Sequence, residues 1–444
     1  VRYLPRVTSR ALRLPALLLP AALGLVAAPP SWAQATKLAG LRAEAKAKPK
    51  EPAVAFALGR ALRRAGLHAE AKGELQRAAA LSTGEPAIRA RYELAQVEIE
   101  SAKPNPASPS PPSLSSCKSL KGSTLAEAFG RLCAAEAWLR MERFSIAEAE
   151  LAAAEKLEPA LYELSLLRAA VAFGKGDGDG AASQLRALTE RASSRPEAFA
   201  LLGRVLVENG RGSDAVAPLR KARALDDGDP ETTLLLARAL PEGAEARELA
   251  RGAVAMRASF PAAQLRLGQI ELALGAPDAA RIAFEASLKD APKVLAAQVG
   301  LAAAWVATKR WPEAQKAANE AVALSASDPG ARLILAEALA GGGATDDAVE
   351  AFKLAHGLDG TNPRPLVRAA EVLLAAREPM KASAHAEAAV RAFPDDAQAW
   401  LVLGDVEFAT GDKKGARDAW TKALSAPKGT IDRAAVQKRL AGAK

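Results

Sequence analysis

Aromatic residues make up only 4% of the 444-residue chain, although half of it is apolar. Sheets are built largely from β-branched and aromatic side chains, so this shortage argues against a β-rich fold. Alanine supplies much of the apolar content instead, which suits closely spaced helices. Three histidines, His68, His356 and His385, lie far apart in the sequence and do not form a metal-binding set. No Gly-x-Ser-x-Gly elbow, His-Glu-x-x-His pair or Ser/His/Asp constellation is present. The run Gly174–Gly180 has glycine and acid in plenty. It lacks the terminal Lys-Ser or Lys-Thr of a phosphate loop, and Leu188 stands where a calcium loop starting at Asp177 needs an acid. It reads as a turn, and the chain reads as a binding protein without catalytic residues, cofactor or metal.

What the sequence does have is a period. Residues 399–424, AWLVLGDVEFATGDKKGARDAWTKAL, place two apolar helical runs either side of a Gly-containing turn. Stepping back 34 residues at a time, Ala416 becomes Ala382, Ala348, Ala314 and Ala280, and Leu403-Gly404 becomes Ala369-Ala370, Leu335-Ala336, Leu301-Ala302 and Leu267-Gly268. A three-residue deletion around Leu240–Gly243 interrupts the register once. It then resumes at Leu202-Gly203 and Ala215, in weaker copies at Ala181 and Ala147, and again at Leu58-Gly59 and Ala71. Small residues at fixed places mark close helix crossings, and large ones fill the spaces between.

Numbering a unit so that Trp400 is its fourth residue, the last unit has Leu403, Gly404, Gly411, Ala416, Trp420 and Ala423 at positions 7, 8, 15, 20, 24 and 27. This pattern resembles the tetratricopeptide repeat family, with Glu407 in place of that family's usual tyrosine at position 11. The resemblance implies an all-α fold: a right-handed α-solenoid of tandem 34-residue helix-turn-helix repeats. Residues 52–101 read as one unit plus a single helix, 122–430 as a main solenoid of about nine units, and 431–444 as a C-terminal capping helix.

The ends and one insert differ from the repeats. Arg2, Arg6, Arg10 and Arg13 precede a short apolar run and Ala33-Gln34-Ala35, so 1–35 reads as a signal peptide cut after Ala35, the alternative being a retained membrane anchor. An exported location, periplasmic or secreted, follows. Losing those four arginines lowers the net charge from +9 to +5. No basic cluster with interleaved aromatics suggests nucleic acid. Residues 36–51 read as a flexible mature N-terminus, and 102–121 as a Pro/Ser-rich insert, either an exposed loop or a separator between two domains. Cys117 and Cys133, the only cysteines, flank CKSLKGSTLAEAFGRLC; export favours a disulfide, and the alternative is a buried Cys133 with a free Cys117.

In the resembled family, ligands lie in a concave groove lined by each unit's first helix. Transferred to this register, the groove is largely apolar, with Leu265, Leu333, Leu401 and Phe408 along it. Position 9 changes sign, from Arg204 and Arg238 to Glu337, Glu371 and Asp405. The implied partner is a protein or peptide segment, amphipathic or extended. The implied role is a non-enzymatic scaffold in an envelope assembly such as a pilus or secretion machine; the alternatives are a structural spacer or an accessory subunit presenting substrate to a separate enzyme. Reversing Glu337, Glu371 and Asp405 is expected to leave the fold nearly intact, because exposed helix charges contribute little.

Overall fold

A computed structural model of the chain describes residues 30–102, 108–257 and 259–442, with backbone alone over 30–36. Twenty-four helices and no strand occur among the described residues. The chain divides into two compact units, one ending at Ile270 and one running from Glu271 to Lys444.

The N-terminal unit opens with α1 (Pro30–Ala47), α2 (Pro52–Arg64), α3 (His68–Leu81) and α4 (Gly84–Ser101). A five-residue α5 (Leu114–Lys118) follows. Four pairs then stack: α6 (Thr124–Leu139) with α7 (Phe144–Leu157), α8 (Tyr162–Gly174) with α9 (Gly178–Arg191), α10 (Pro196–Glu208) with α11 (Gly212–Leu225), and α12 (Pro230–Ala239) with α13 (Ala244–Met256). Helix α14 (Pro261–Ala273) carries the chain past Ile270. Beyond it lie α15 (Pro277–Asp290), α16 (Leu295–Ala307), α17 (Trp311–Leu324), α18 (Pro329–Gly341) and α19 (Thr345–Leu358). The chain ends with α20 (Arg364–Ala375), α21 (Pro379–Ala392), α22 (Ala397–Thr410), α23 (Lys413–Ser425) and α24 (Arg433–Gly442).

Local sequence sets these boundaries. Proline occupies the first turn of α2, α10, α12, α15, α17, α18, α20 and α21, where its missing N–H costs nothing. Asp177, Asp229, Asp328, Asp396 and Asp412 accept hydrogen bonds from the free backbone N–H groups that begin their helices. The glycine-rich run at 174–180 is such a turn, with Asp177 accepting from the Gly180 N–H at 2.9 Å.

Between the two helices of a unit the backbone enters the left-handed region at position 15. Gly66, Gly176, Gly210, Gly275, Gly343 and Gly411 take it at φ between 74° and 95°; Glu142, Lys309 and Arg377 occupy the same place at φ 57°, 59° and 63°. A side chain there pays a steric cost that glycine avoids.

Packing explains the small residues. Ala71, Ala147, Ala181, Ala215, Ala280, Ala314, Ala348, Ala382 and Ala416, all at position 20, are fully buried. A Cβ placed on Gly59 would stand 2.7 Å from Leu75, and one on Gly404 2.5 Å from Trp420; Gly203 meets Leu219 in the same way. Position 8 is therefore glycine where the position-24 side chain behind it comes too near for anything larger.

Three sequence expectations are corrected or refined here. Residues 36–47 are not a flexible tail: they belong to α1, whose Leu38, Leu41 and Ala45 share one helical face and pack on Val54, Leu58 and Leu62 of α2. The Pro/Ser-rich segment does not separate two domains, since α1–α4 and α6–α13 lie in one unit. Nor is its described end an exposed loop. Ser113, Cys117 and Leu120 are buried, and α5 packs against both α4 and α6 where a second helix would otherwise stand. Cys117 and Cys133 are joined in a disulfide with their Cα atoms 5.3 Å apart. Gly130 of α6 admits this segment, for a Cβ there would lie 3.0 Å from the carbonyl oxygens of Cys117 and Leu120.

At the other end, α24 covers the last pair. Its Val436 is fully buried against Ala416 and Trp420, with Ile431 and Leu440 beside it. The expected signal segment lies, over residues 1–29, outside the described residues.

Candidate partner-binding face

The first helices of the C-terminal unit, α16, α18, α20 and α22, repeat one face at a 34-residue step. Val299, Leu333 and Leu401 at position 5 and Val306, Ala340 and Leu374 at position 12 are half-buried, and Phe408 is 45% exposed. Phe408 leans on Trp420 with ring centroids 5.6 Å apart.

The acids on this face are not free to meet a partner as the sequence suggests. Glu337 is only 8% exposed. Its carboxylate accepts hydrogen bonds from Arg364 Nη2 at 2.9 Å and from Arg368, whose Nε lies 3.1 Å from each oxygen and whose Nη2 lies 2.9 Å from Oε2. The same Arg368 donates to Glu371 at 2.5 Å, so one guanidinium joins both acids. Asp405 accepts from Trp420 Nε1 and from Arg439 of the capping helix, each at 2.9 Å. Burial raises the Asp405 carboxyl above its ordinary range, with Arg439 and Trp420 pulling the other way. Leu401 lies under that helix too, in the cluster with Ala416, Trp420 and Val436. The expectation that reversing Glu337, Glu371 and Asp405 spares the fold is thereby corrected, because breaking a buried ion pair strands the remaining charge.

The remaining sequence candidates lie in the N-terminal unit. Arg204 approaches Glu231 at 3.8 Å, Arg238 donates to Glu208 at 2.8 Å, and Leu265 is half-buried. Each arginine is answered by an acid of an adjacent repeat, so neither contributes an unpaired positive charge.

Sequence reasoning passed over a larger feature of this unit, a chain of ion pairs across its first helices. Glu163 of α8, 8% exposed, accepts from Arg89 of α4 and from Arg195, both at 3.0 Å. Arg195 also stacks 3.7 Å above the Tyr162 ring and reaches Glu197 of α10 at 3.6 Å. Glu197 meets Arg60 of α2 at 3.4 Å; Arg60 and Arg63 both meet Glu93 of α4 at 3.1 Å. Arg63 pairs further with Glu100. The links thus run from α4 through α8, α10 and α2 back to α4.

Burial works against the Glu163 carboxylate, but its own backbone N–H and the Arg195 and Arg89 guanidinium groups outweigh it and hold the carboxyl below its usual range. Glu136 moves up instead: burial outweighs Arg63 and Gln96. Tyr92, whose hydroxyl lies 3.4 Å from Glu136, is also raised, first by burial and then by that acid. The signal available in the sequence was Arg63, standing at a position that is apolar in most other units.

No cluster of three His, Cys, Asp or Glu side chains among the described residues is arranged to hold a metal ion. No described helix is long and apolar enough to cross a membrane.

A tetratricopeptide repeat model matches residues 166–230, 235–294, 299–363 and 367–429, together more than half of the chain. No curated protein sequence matches it. Among solved structures, the Cut9–Hcn1 hetero-tetramer of APC/C is similar over 93% of each chain, at 12% identity and a TM-score of 0.46. A tetratricopeptide repeat protein from Parabacteroides merdae matches 64% of this chain and 98% of its own, at 14% identity and a TM-score of 0.38. The thermophilic protein TTC0263 of Thermus thermophilus matches 41% of this chain and 98% of its own, at 24% identity and a TM-score of 0.35.

Proposed function

We propose that this chain, which belongs to the tetratricopeptide repeat family, is a non-catalytic scaffold that holds protein segments on the first-helix face of its C-terminal unit. The observation that carries this reading is the apolar stripe on α16, α18, α20 and α22. Val299, Val306, Leu333, Leu374 and Phe408 keep part of their surface in solvent at a constant step. Such a stripe suits the apolar side of an amphipathic helix or an extended apolar peptide, read as anchors at regular spacing. Charge at the rim is limited to the outer members of the Arg364–Glu337–Arg368–Glu371 cluster, since Arg364 and Glu371 stay partly in solvent while Glu337 is enclosed.

The finer reading is an exported scaffold in an envelope assembly, whether pilus, secretion machine or a similar complex. Support comes from the basic and apolar pattern of residues 1–35 and from the Cys117–Cys133 bridge, a bond kept in oxidising compartments. Photo-crosslinking tests the scaffold. A crosslinker at Leu374 or Phe408 should capture a partner that one at the 78%-exposed Met380 on α21 does not. Leu333→Glu with Leu374→Glu should abolish that capture; equal labelling from Met380 would defeat the reading. Mass spectrometry of the native chain tests export, which predicts a mature start at Thr36.

A further inference from the structure

A cavity of about 150 Å³ lies in the N-terminal unit where α11, α12 and α13 meet. Leu249, Gly252 and Met256 of α13 line it, with Thr233 of α12 and Arg223 of α11. The space exists because two facing residues are small. Gly252 is buried inside α13, and a Cβ placed on it would meet nothing nearer than Thr233 Cγ2 at 3.9 Å, an ordinary contact. The buried Gly59, Gly203 and Gly404 differ, since a neighbouring side chain stands closer than 3.0 Å to a Cβ at each of them. Every other pair from α6 to α23 carries a side chain at the step of Gly252, such as Lys221 before it and Ala286 after it. Glycine inside a helix costs stability relative to alanine, and no protein contact here requires it.

The polar groups around the cavity are satisfied, with one exception. The Thr233 hydroxyl donates to the Asp229 carbonyl at 3.0 Å, so its proton is taken. Two acids also line the space, and both are answered: Glu245 accepts from Arg220 at 2.8 Å and Glu248 from Arg251 at 3.3 Å. Arg223 is the exception. Its Nε is closed off from solvent and has no hydrogen-bond partner. The acids that follow α11, Asp226 and Asp227, pair with Arg64 and Lys37 instead. A buried donor without an acceptor is costly. The cavity thus combines an apolar wall, Leu249 and Met256, with one unanswered cationic donor.

We propose that this cavity is a binding site for a small carboxylate with an apolar body about the size of one aromatic ring. An apolar cavity of about 150 Å³ holds a benzene ring in another protein, so the volume admits one ring and little more. The ring would lie against Leu249 and Met256 over Gly252, a contact that suits a thioether. The carboxylate would accept from the Arg223 guanidinium in a charge-assisted pair. A concave apolar site with a single placed polar group is the usual form of a small-molecule pocket. It lies in the N-terminal unit and is independent of the apolar stripe of the C-terminal unit, so each reading stands or falls by itself.

Methyl NMR of the full chain, labelled at methionine, tests the site with benzoate as the probe. Met256 is one of three methionines, and the other two, Met141 and Met380, do not line the cavity. Benzoate should shift the Met256 signal saturably and leave Met141 and Met380 unmoved. Benzylammonium, a similar ring with the opposite charge, should bind at least tenfold more weakly. Arg223→Gln should weaken benzoate at least tenfold without lowering the melting temperature, because Arg223 makes no ion pair among the described residues. Gly252→Leu should fill the space and abolish the shift. If that variant fails to fold, Gly252→Ala decides: binding at least threefold weaker supports the site, and unchanged binding overturns it. A Met256 signal that benzoate does not shift saturably overturns the proposal. So does benzylammonium binding as tightly as benzoate, or benzoate binding that is indifferent to Arg223→Gln or to Gly252→Leu.

Discussion

The two units use the same repeat and are held together differently. In the C-terminal unit every pair keeps the 34-residue step, and those of its ion pairs that link two helices join helices one repeat apart, such as Arg368 with Glu337 and Arg439 with Asp405. In the N-terminal unit one second helix is missing, a disulfide holds the short segment in its place, and ion pairs reach across 137 to 190 residues. The difference teaches what regularity does. A uniform stack buries its alanines between neighbours and leaves its first-helix face repeated and open. Where the repeat is irregular, the short α5 stands in for the missing helix, and ion pairs between distant parts of the chain accompany it.

The largest effects should come from breaking each unit at its own kind of joint. In the C-terminal unit Trp420→Ala is expected to cost about 3–5 kcal/mol, since the ring is buried against both Gly404 and the capping helix. Glu337→Lys should cost a similar 3–5 kcal/mol, roughly, by placing an unpaired ammonium in an enclosed site beside Arg364 and Arg368, whereas the exposed Glu371→Lys should cost about 1 kcal/mol or less. Chemical denaturation separates them; equal losses would mean that Glu337 is not the buried partner.

Removing the bridge with Cys117→Ala and Cys133→Ala should cost about 3 kcal/mol, the value for a loop of this size. The comparison requires that loss to fall on the N-terminal unit alone, which unit-resolved hydrogen exchange would read. Loss shared by both units would erase the distinction between them.

Acid should then separate the units further. The Glu163 and Asp227 carboxyls are held below their ordinary range, Glu163 by its backbone and guanidinium partners acting against burial, Asp227 first by Lys37. A depressed folded value means stabilisation that is present above the unfolded value and lost as pH falls through the folded one. Asp405 is raised, so its contribution has the opposite sign: it is present at low pH and lost as pH rises through the folded value. Acidification below about pH 4.5 should therefore loosen α1–α2 and α8 before it touches α22–α24. Glu163→Gln should flatten the N-terminal response, and Asp405→Asn should leave the C-terminal unit near its parental stability.

The smallest effect tests what the units share. Lys309→Gly and Arg377→Gly in one unit, and Glu142→Gly in the other, should each stabilise by about 0.5–1 kcal/mol, because relief of the left-handed strain exceeds glycine's entropic cost. A thermal melt that falls in any of the three would show that the side chain compensates for its turn.

Much of this was legible in the residues. The nine pairs from α6 to α23, the capping helix and the role of Ala416 and Gly404 follow from period and size. Small residues recur wherever two backbones cross closely, and that constraint is local and repeated. The candidate face was legible only in part. Leu333, Leu374 and Phe408 fall where the register puts them, but nothing in the register says that Glu337 is enclosed by Arg364 and Arg368 or that Arg439 answers Asp405. Such pairings depend on side-chain reach between helices. The helix over 36–47 was missed because the apolar face of Leu38, Leu41 and Ala45 makes sense only once α2 is beside it.

The sequence by itself determined the unit: where helices start, which residues are small, and that units must stack, since one pair buries too little surface to stand alone. The sequence also marked where the stack departs from its rule, but only the tertiary structure decided how the chain packs there. The bridged turn at α5, the arginine–glutamate links through Glu163, and the return of α1–α2 onto Asp226 and Asp227 join residues whose separation carries no period. Charge pairs of that kind are fixed by proximity in space, and the repeat specifies proximity only between neighbours.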